Sequence, residues 1–427
     1  MKKWLLELKG NFDSRANLRR ASVNSSWLFT EQIIRLFVGF FISIVTTRYL
    51  GPKGLGLLSY ANSWVCMFSA FASLGLDGIV VKRLIEKKES SGTVLGSAFI
   101  LKIFGSLLTV ILSLVLLILF GQHDFQTIIL VLIINLGYVF LPSSIVDLYY
   151  QSKLKVRYTA SVRTIVYLVI TILKFVCIMA KVNIYFFGLL FSLEMVLNAI
   201  GYGYVFLKKE KPQLNFDWLE TKKIISLAFP VFLSTLVVGI YLKIDQIFVG
   251  FLINKESLGY YSLAVSLVQM FYFIPTIVIA SVFPILVEEK NNLNLISYKN
   301  KIWKTLKYLS ITAIILIICA NICSEFLIRL LYGQQFMLSV NLLNVYSLNL
   351  LPVFASSIFS YWLIIENKQR YGLYFQVITL IVNSSLNYFL INLVGVMGAG
   401  IASLISNGLL FSLFGLFFIK TFKNGVK

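Results

Sequence analysis

Charged side chains are scarce in this sequence of 427 residues: they make up only 13% of it, while 58% is hydrophobic. This composition excludes a soluble domain, which needs a polar surface. Apolar runs of roughly 20 residues, enough to cross about 30 Å of hydrocarbon, recur along nearly the whole chain. Backbone groups in lipid must be bonded within their own segment, so these runs predict helices. The expected fold class is therefore an all-α polytopic membrane protein.

Residues that bind metals or carry redox chemistry are also few. The single histidine, His123, lies in a predicted outer loop, which excludes a histidine cluster. The four cysteines, Cys66, Cys177, Cys319 and Cys323, fall within apolar runs, where cysteine behaves as a small hydrophobe. We therefore predict no metal site, no disulfide and no cofactor.

Acidic residues number 18 against 38 Lys and Arg, which gives a formal net charge of +20. Such an excess would suggest nucleic acid in a soluble protein, but here it follows the topology. Of the basic residues, 28 lie in the two tails and in or next to alternate loops. The positive-inside rule then predicts that both termini are cytoplasmic.

The first 26 residues are polar and basic and show no cleaved signal peptide. We expect a multi-pass protein of the bacterial plasma (inner) membrane, with no nucleic-acid partner.

Two stretches 203 residues apart are alike: residues 55–68 read LGLLSYANSWVCMF and residues 258–271 read LGYYSLAVSLVQMF, with eight of fourteen positions identical. A second repeated motif, Lys-x-Arg-Tyr, occurs at residues 155–158 and again at residues 368–371. These repeats predict an internal duplication.

The duplication predicts two six-helix lobes related by a pseudo-two-fold axis along the membrane normal. We expect an N-terminal lobe at 1–207, a cytoplasmic linker at 208–223 and a C-terminal lobe at 224–427. The twelve candidate spans are 27–47, 57–80, 94–120, 125–147, 159–180, 184–207, 224–250, 257–285, 305–324, 341–365, 372–392 and 398–419.

Five basic residues lie well inside these spans, away from their cytoplasmic ends: Arg35, Lys102, Arg163, Lys174 and Lys243. An ionised side chain in hydrocarbon costs at least about 2.5 to 3.5 kcal/mol, so each should face a partner or an aqueous cavity. Arg163 and Lys174 are eleven residues apart, which places both on one face of a helix. We predict that these cations line a substrate cavity; the alternative for Arg163 is that it snorkels to the interface.

Three acidic residues lie well inside the same spans, and two more, Asp77 and Asp147, lie near the cytoplasmic ends of theirs. Glu31 precedes Arg35 by four residues, so the two can pair, either structurally or functionally. Glu194 and Asp245 are candidates for coupling to H⁺ or Na⁺, and a hydrogen-bonded structural role is the alternative. Lys243 and Asp245 are two residues apart, so they lie on opposite faces or the helix is locally broken. The basic excess over these three acids predicts an anionic substrate.

Residues 48–56, RYLGPKGLG, run into Ser59 and Ala61, and residues 282–284, VFP, lie in span eight. Together with residues 395–402 and the predicted topology, they resemble the polysaccharide-biosynthesis flippases of the multidrug/oligosaccharidyl-lipid/polysaccharide exporter superfamily. The resemblance covers essentially the whole chain.

That resemblance implies a bundle of two lobes around a central cavity, with no catalytic residues. It implies translocation of an undecaprenyl-diphosphate-linked oligosaccharide to the outer leaflet for O-antigen, capsule or exopolysaccharide synthesis. The polymerase and glycosyltransferases of the pathway would be partners, membrane lipid would surround the protein, and we expect a monomer. Coupling to H⁺ or Na⁺ and to the membrane potential is a further expectation.

Two other functions compete with this interpretation. A multidrug exporter of the same superfamily would take cationic drugs and should have an acidic cavity, which the basic excess opposes. A membrane glycosyltransferase or polysaccharide polymerase would need sizeable outer loops for its acidic and sugar-binding residues. The predicted outer loops are short, as at residues 121–124 and 180–183, so this function is the less favoured.

Overall fold

A computed structural model of the chain describes residues 2–86, 90–120, 124–209, 214–292 and 294–424, with side chains from residue 26 to residue 422 of those ranges. His123 lies outside the described residues. Every regular element within them is a helix, as the fold class predicts.

The α-helices are α1 (Lys2–Ser73), α2 (Leu76–Glu86), α3 (Ser91–Phe120), α4 (Phe125–Tyr138), α5 (Ile145–Ser152), α6 (Arg157–Met179), α7 (Tyr185–Lys209), α8 (Trp218–Tyr241), α9 (Ile244–Leu252), α10 (Lys255–Gln269), α11 (Phe273–Asn291), α12 (Leu295–Leu331), α13 (Ser339–Ser347), α14 (Leu350–Ile365), α15 (Gln369–Val394) and α16 (Met397–Asn424). Short 3-10 helices cover Leu141–Ser144, Met270–Tyr272 and Gln334–Phe336.

Eleven helical segments in the described residues are long and apolar enough to cross a membrane. Large apolar side chains are exposed on them, such as Phe104 at 63% and Phe326 at 65%. Lipid rather than water is the solvent that such faces require, so the chain is a multi-pass membrane protein. Short elements also combine into single spans, as α4 and α5 do within Phe125–Ser152.

The first of these segments, Ser26–Glu86, has 61 residues and contains two of the twelve predicted spans. At 1.5 Å per residue it would measure roughly 90 Å, about twice the thickness of a bilayer. It is interrupted at Gly51, whose φ of 64° and ψ of −179° are not helical, and Pro52 follows. Glycine adopts this backbone conformation without the Cβ clash of other residues. The count of twelve crossings and the pseudo-two-fold axis stay predictions.

Two compact units divide the chain. The first comprises Met1–Thr46 and Phe68–Leu236, and the second comprises Thr47–Met67 and Val237–Lys427. Helices α1 and α8 therefore each contribute residues to both units. These units are defined by proximity and not by the repeat, so the lobe boundaries expected from the duplication stay a prediction.

Two turns with positive φ recur along the chain at nearly the 213-residue offset of the Lys-x-Arg-Tyr repeat. Leu154, just before α6, has a φ of 54°, and Asn367, 213 residues later and just before α15, has a φ of 55°. Lys181 after α6 has a φ of 53°, and Gly395 after α15 has a φ of 65°. Positive φ is uncommon outside glycine, so two such matches at nearly one offset support a common origin of these segments.

The two similar fourteen-residue stretches contact each other within the second unit. A Cβ atom on Gly56 would lie 1.5 Å from the carbonyl oxygen of Lys255, and one on Gly259 would lie 1.9 Å from that of Pro52. Pro52 and Lys255 are themselves 203 residues apart, as Gly56 and Gly259 are. The contact is therefore reciprocal, and only glycine allows the two backbones to approach so closely.

Candidate functional site

The densest cluster of charge lies in the first unit and centres on Glu31 of α1. Arg163 of α6 binds both oxygens of this carboxylate, with Nε and Nη2 each 2.7 Å away. The third guanidinium nitrogen, Nη1, lies 2.8 Å from Oδ1 of Asp147 on α5. Arg163 is thus held by two carboxylates from two other helices, in the bidentate geometry that arginine favours.

Arg35 of α1 is held less tightly. Its Nε lies 3.3 Å from Glu31, its Nη1 lies 3.5 Å from Glu194 of α7, and its Nη2 donates to the Arg163 carbonyl at 3.4 Å. The guanidinium also lies 4.7 Å from the centre of the Tyr167 ring, a cation–π contact. With 29% of its side chain exposed, Arg35 is the more accessible arginine of this cluster.

Lys102 of α3 forms a separate pair in the same unit. Its Nζ donates to Oδ1 of Asp77 at 2.7 Å and to Oγ of Ser144 at 2.8 Å. The lysine side chain is only 2% exposed, whereas that of Asp77 is 60% exposed. The pair therefore supplies the partner that the buried ammonium requires, at the start of α2.

Lys174 and Lys243 differ from the other three predicted cations. Both are half-buried, and neither forms an ion pair or hydrogen bond with the described part of the chain. Of the two arrangements open for Lys243 and Asp245, the structure shows the broken helix, since α8 ends at Tyr241 and α9 begins at Ile244.

Asp245, in the first turn of α9, is the buried carboxylate of the second unit. Its Oδ2 accepts a hydrogen bond from the Tyr261 hydroxyl at 2.6 Å, and its Oδ1 accepts one from the Gln246 amide at 2.7 Å. Gln246 Oε1 in turn accepts from the Ser63 hydroxyl at 2.6 Å. The helix N-terminus also favours a negative charge at this position.

A cavity of about 290 Å³ adjoins Asp245 within the second unit. Its lining surface is mostly apolar, with polar side chains placed among it, including those of Tyr241, Tyr272, Tyr346, Gln376 and Asn407. Tyr241 donates to Asn407 Oδ1 at 2.7 Å, and Asn407 donates to Asn349 at 2.8 Å. Such a site can bind a small polar species or a cation through oxygen atoms.

The structure brings four of the eight predicted site residues together: Glu31, Arg35, Arg163 and Glu194. Asp77 and Asp147 complete the ion pairs, although their positions near predicted span ends gave them no assigned role. When they are included, the five intramembrane cations are matched by five carboxylates. The cations and carboxylates are thus equal in number, although Lys174 and Lys243 form no ion pair with the described part of the chain.

No group of three or more His, Cys, Asp or Glu side chains in the described residues is arranged to bind a metal ion. The four cysteines, all of which lie in described helices, form no disulfide bond.

Two family models each match more than half of the chain. The model described as "Polysaccharide biosynthesis protein" matches residues 22–290, and the model described as "Lipid II flippase MurJ" matches residues 186–425. No curated protein sequence matches the chain significantly.

Solved structures of similar fold share little sequence with this chain. The inward closed conformation of the lipid II flippase MurJ is 18% identical, with a TM-score of 0.74 over 93% of this chain and 87% of that one. An inward-facing multidrug resistance MATE family transporter of the MOP superfamily is 11% identical, with a TM-score of 0.74 over 90% of this chain and 93% of that one. A MOP superfamily transporter from Pyrococcus furiosus, reported for the reverse polarity of its binding pocket, is 13% identical, with a TM-score of 0.63 over 92% and 94%. At these identities the likeness establishes the fold alone.

Proposed function

Because the chain belongs to the polysaccharide biosynthesis protein family, within the multidrug/oligosaccharidyl-lipid/polysaccharide exporter superfamily, we propose that it translocates an undecaprenyl-diphosphate-linked oligosaccharide. The chain is a transporter of the lipid-linked flippase type and not an enzyme. The proposed cargo is the repeat unit of an O-antigen, capsule or exopolysaccharide. It moves from the cytoplasmic to the outer leaflet of the bacterial inner membrane.

The observation that carries this proposal is the family match over residues 22–290. That range includes Glu31, Arg35, Arg163 and Glu194, so the charged cluster of the first unit falls within it. The flippase-type match over residues 186–425 supports the same lipid-linked class for the rest of the chain.

We propose that Arg35 and Lys174 are the cations that meet the anionic head group. Arg35 has long contacts of 3.3 and 3.5 Å to its carboxylates, and Lys174 has no ion-pair partner among the described residues. An incoming diphosphate can displace such contacts at little cost. Arg163 and Lys102 have contacts of 2.7 Å to carboxylates, so they hold the bundle together. Lys243 remains a candidate contact in the second unit.

Alternating access is the proposed mechanism, with both termini in the cytoplasm. When the inside of the membrane is negative, the electrical potential favours outward movement of an anion. For a doubly negative head group this contributes about 4.6 kcal/mol of favourable free energy per 100 mV. The return of the empty carrier is the step at which a coupled H⁺ or Na⁺ would act. Asp245, which lines the cavity of the second unit, is the first candidate to bind that ion, and Glu194 is the second.

A gene deletion in the native bacterium tests the proposal. We expect loss of the surface polymer and accumulation of lipid-linked units that an external glycosidase cannot reach until the membrane is permeabilised. Accumulated units that the enzyme reaches in intact cells would indicate a missing polymerase instead. An Arg35→Ala variant at normal protein level should complement the deletion poorly, whereas Arg329→Ala, at an exposed pair, should complement it fully.

A multidrug exporter is the second candidate, because a MATE transporter matches the fold with the same TM-score as the lipid II flippase. Expression in a strain that lacks its own pumps separates the two candidates. Increased resistance to cationic drugs, with the surface polymer of the deletion strain unchanged, would support the exporter and contradict the flippase.

A further inference from the structure

Basic residues cluster in the first unit where α6 begins and α7 ends. The sequence reads KLKVR at residues 153–157 and KKEKP at residues 208–212, with one acidic residue, Glu210, which lies outside the described residues. The apolar segment Arg157–Met179 starts at this corner, and the segment Tyr185–Lys209 ends there. Both segments have the length that spans the hydrocarbon, so the corner lies at a membrane interface.

Two cations of this basic corner lie against one aromatic ring. The Lys209 ammonium is 3.8 Å from the centre of the Tyr158 ring, and the Arg157 guanidinium is 4.7 Å from it. Arg157 Nη2 also donates to the Tyr158 hydroxyl at 2.7 Å. The ring packs edge-on against buried Tyr150, with their centres 5.5 Å apart. Tyr158 thus brings a cation of α6 and a cation of α7 to the same place.

The cations of the corner lack the carboxylates that neutralise other basic residues at span ends. Arg83 of α2, for example, donates to buried Glu220 at 2.7 Å. In contrast, Arg157, Lys208 and Lys209 contact tyrosine rings and hydroxyls, and none of them meets a carboxylate in the described part of the chain. Their charge is therefore not compensated there, and it attracts an anion.

Both helices expose apolar side chains that lead to these cations. On α7, Ile200, Tyr204 and Leu207 are 63%, 62% and 68% exposed, and their spacing places them on one face. On α6, Leu168 is 38% exposed and lies eleven residues, or about three turns, from Arg157 on the same face. An apolar face that ends in uncompensated positive charge matches an amphiphile with an anionic head group.

We infer that the basic corner binds an anionic phospholipid, with its phosphate at Arg157 and Lys209 and its acyl chains on the exposed faces of α6 and α7. The predicted orientation puts the corner on the cytoplasmic side, where anionic lipids attract basic residues that border a span. A zwitterionic lipid offers the same acyl chains but carries no net charge. The bound lipid would link the start of α6 to the end of α7. This inference needs no assumption about the transported cargo.

Photoactivatable lipids with two different head groups test the site at its location. The full chain is placed in phosphatidylcholine bilayers that contain some phosphatidylglycerol, and one lipid or the other carries a diazirine in an acyl chain. We expect phosphatidylglycerol to label residues 200–207 in preference to phosphatidylcholine. Residues 100–107 of α3 provide the background, because their one cation, Lys102, is buried and paired. Equal preference at the two stretches would overturn the inference.

Charge-removing variants supply the second readout, by native mass spectrometry of the protein titrated with phosphatidylglycerol. Arg157→Gln with Lys209→Gln removes two exposed cations of the corner. We expect the affinity to fall about 30-fold, since each basic residue near the surface supplies roughly a factor of five. The control, Lys82→Gln with Arg329→Gln, removes the same charge from exposed residues that are paired with carboxylates, and it should bind as the unchanged protein does.

A charge-conserving variant, Arg157→Lys with Lys209→Arg, should restore binding to within about threefold of the unchanged protein. Unchanged binding in the glutamine variant of the corner, or an equal loss in the control, would overturn the inference.

Competition separates a phospholipid from the diphosphate of a lipid-linked substrate. Excess unlabelled phosphatidylglycerol should remove the label from residues 200–207, and excess phosphatidylcholine should not. Removal of the label by an equal excess of polyprenyl diphosphate would assign the corner to that diphosphate and overturn the phospholipid assignment. If the unchanged protein moves no lipid-linked glycan but the lipid results hold, the proposed function fails and the lipid site stands.

Discussion

In the first unit Glu31 binds two guanidinium groups, and Asp147, Glu194 and Asp77 each contact a further cationic nitrogen. In the second unit the buried carboxylate, Asp245, accepts its hydrogen bonds from a tyrosine hydroxyl and a backbone amide. Around it the polar contacts that continue from Tyr241 to Asn407 and Asn349 are between neutral groups. The two buried carboxylates Glu31 and Asp245 are thus stabilised by different means, the first by cations and the second by neutral donors.

The predicted duplication would give the two units a common scaffold with unequal chemistry. The turns at Leu154 and Asn367 share a positive φ, and Gly56 and Gly259 meet in a reciprocal contact, which are the backbone similarities that we expect of two copies. The charges have diverged: at the 203-residue offset Arg35 corresponds to Val238, and Lys102 corresponds to Thr305. The network of ion pairs around Glu31 lies in the first unit, and the second unit offers a cavity lined by hydroxyl and amide side chains and by Asp245.

The largest expected effect is in the ionic unit. Glu31→Gln leaves Arg163 and Arg35 without their shared carboxylate, and we expect the free energy of unfolding to fall by about 3 to 5 kcal/mol. Glu325→Gln, which breaks the exposed pair with Arg329, should cost less than about 1 kcal/mol. Denaturant titration of the protein in detergent measures both.

A combined variant sharpens this comparison. It combines Glu31→Gln and Arg163→Met with Asp147→Asn, which removes Arg163 together with both of its carboxylates, so this combined variant should recover part of the stability that Glu31→Gln loses. If Glu31→Gln and Glu325→Gln cost the same, the buried network would contribute no more than a surface pair. The two units would then differ in which polar residues they contain, but not in how much those residues stabilise the fold.

An intermediate effect is expected at the scaffold that the repeat shares. Gly56→Ala and Gly259→Ala each place a Cβ against a backbone carbonyl, so each should cost about 1 to 3 kcal/mol. Gly408→Ala, also in a helix of the second unit, meets open space and should be neutral or slightly stabilising. The midpoints of thermal unfolding rank the three variants by stability. Equal midpoints for Gly56→Ala and Gly408→Ala would show that the two stretches do not cross as closely as described.

The sequence contains enough information to predict the helices, because lipid imposes both their length and their hydrogen bonding. It also indicates the Gly56 and Gly259 contact indirectly, since a glycine kept at the same place in two copies suggests a close approach. It does not reveal which charges meet. Lys102 pairs with Asp77 from another helix, and Arg163 reaches Glu31, which lies 132 residues away.

Helix periodicity places residues on a face but does not tell what that face touches. Arg163 and Lys174 share a face of α6, yet the first is held by two carboxylates and the second has no ion-pair partner among the described residues. For the same reason the sequence alone predicts an excess of basic charge. Only the packing of α2 and α5 brings Asp77 and Asp147 to their cations.

The smallest effect is expected in the neutral network of the second unit. Tyr241→Phe removes the hydrogen bond to Asn407, and both residues line the cavity of about 290 Å³, where a water molecule can replace the hydroxyl. We expect the free energy of unfolding to fall by only about 0.5 to 1.5 kcal/mol. Tyr388→Phe, on an exposed face of α15, should change nothing. A loss at Tyr241 as large as that of Glu31→Gln would contradict the contrast between the ionic network around Glu31 and the neutral network around Tyr241, because one neutral hydroxyl would then stabilise the fold as much as a shared carboxylate does.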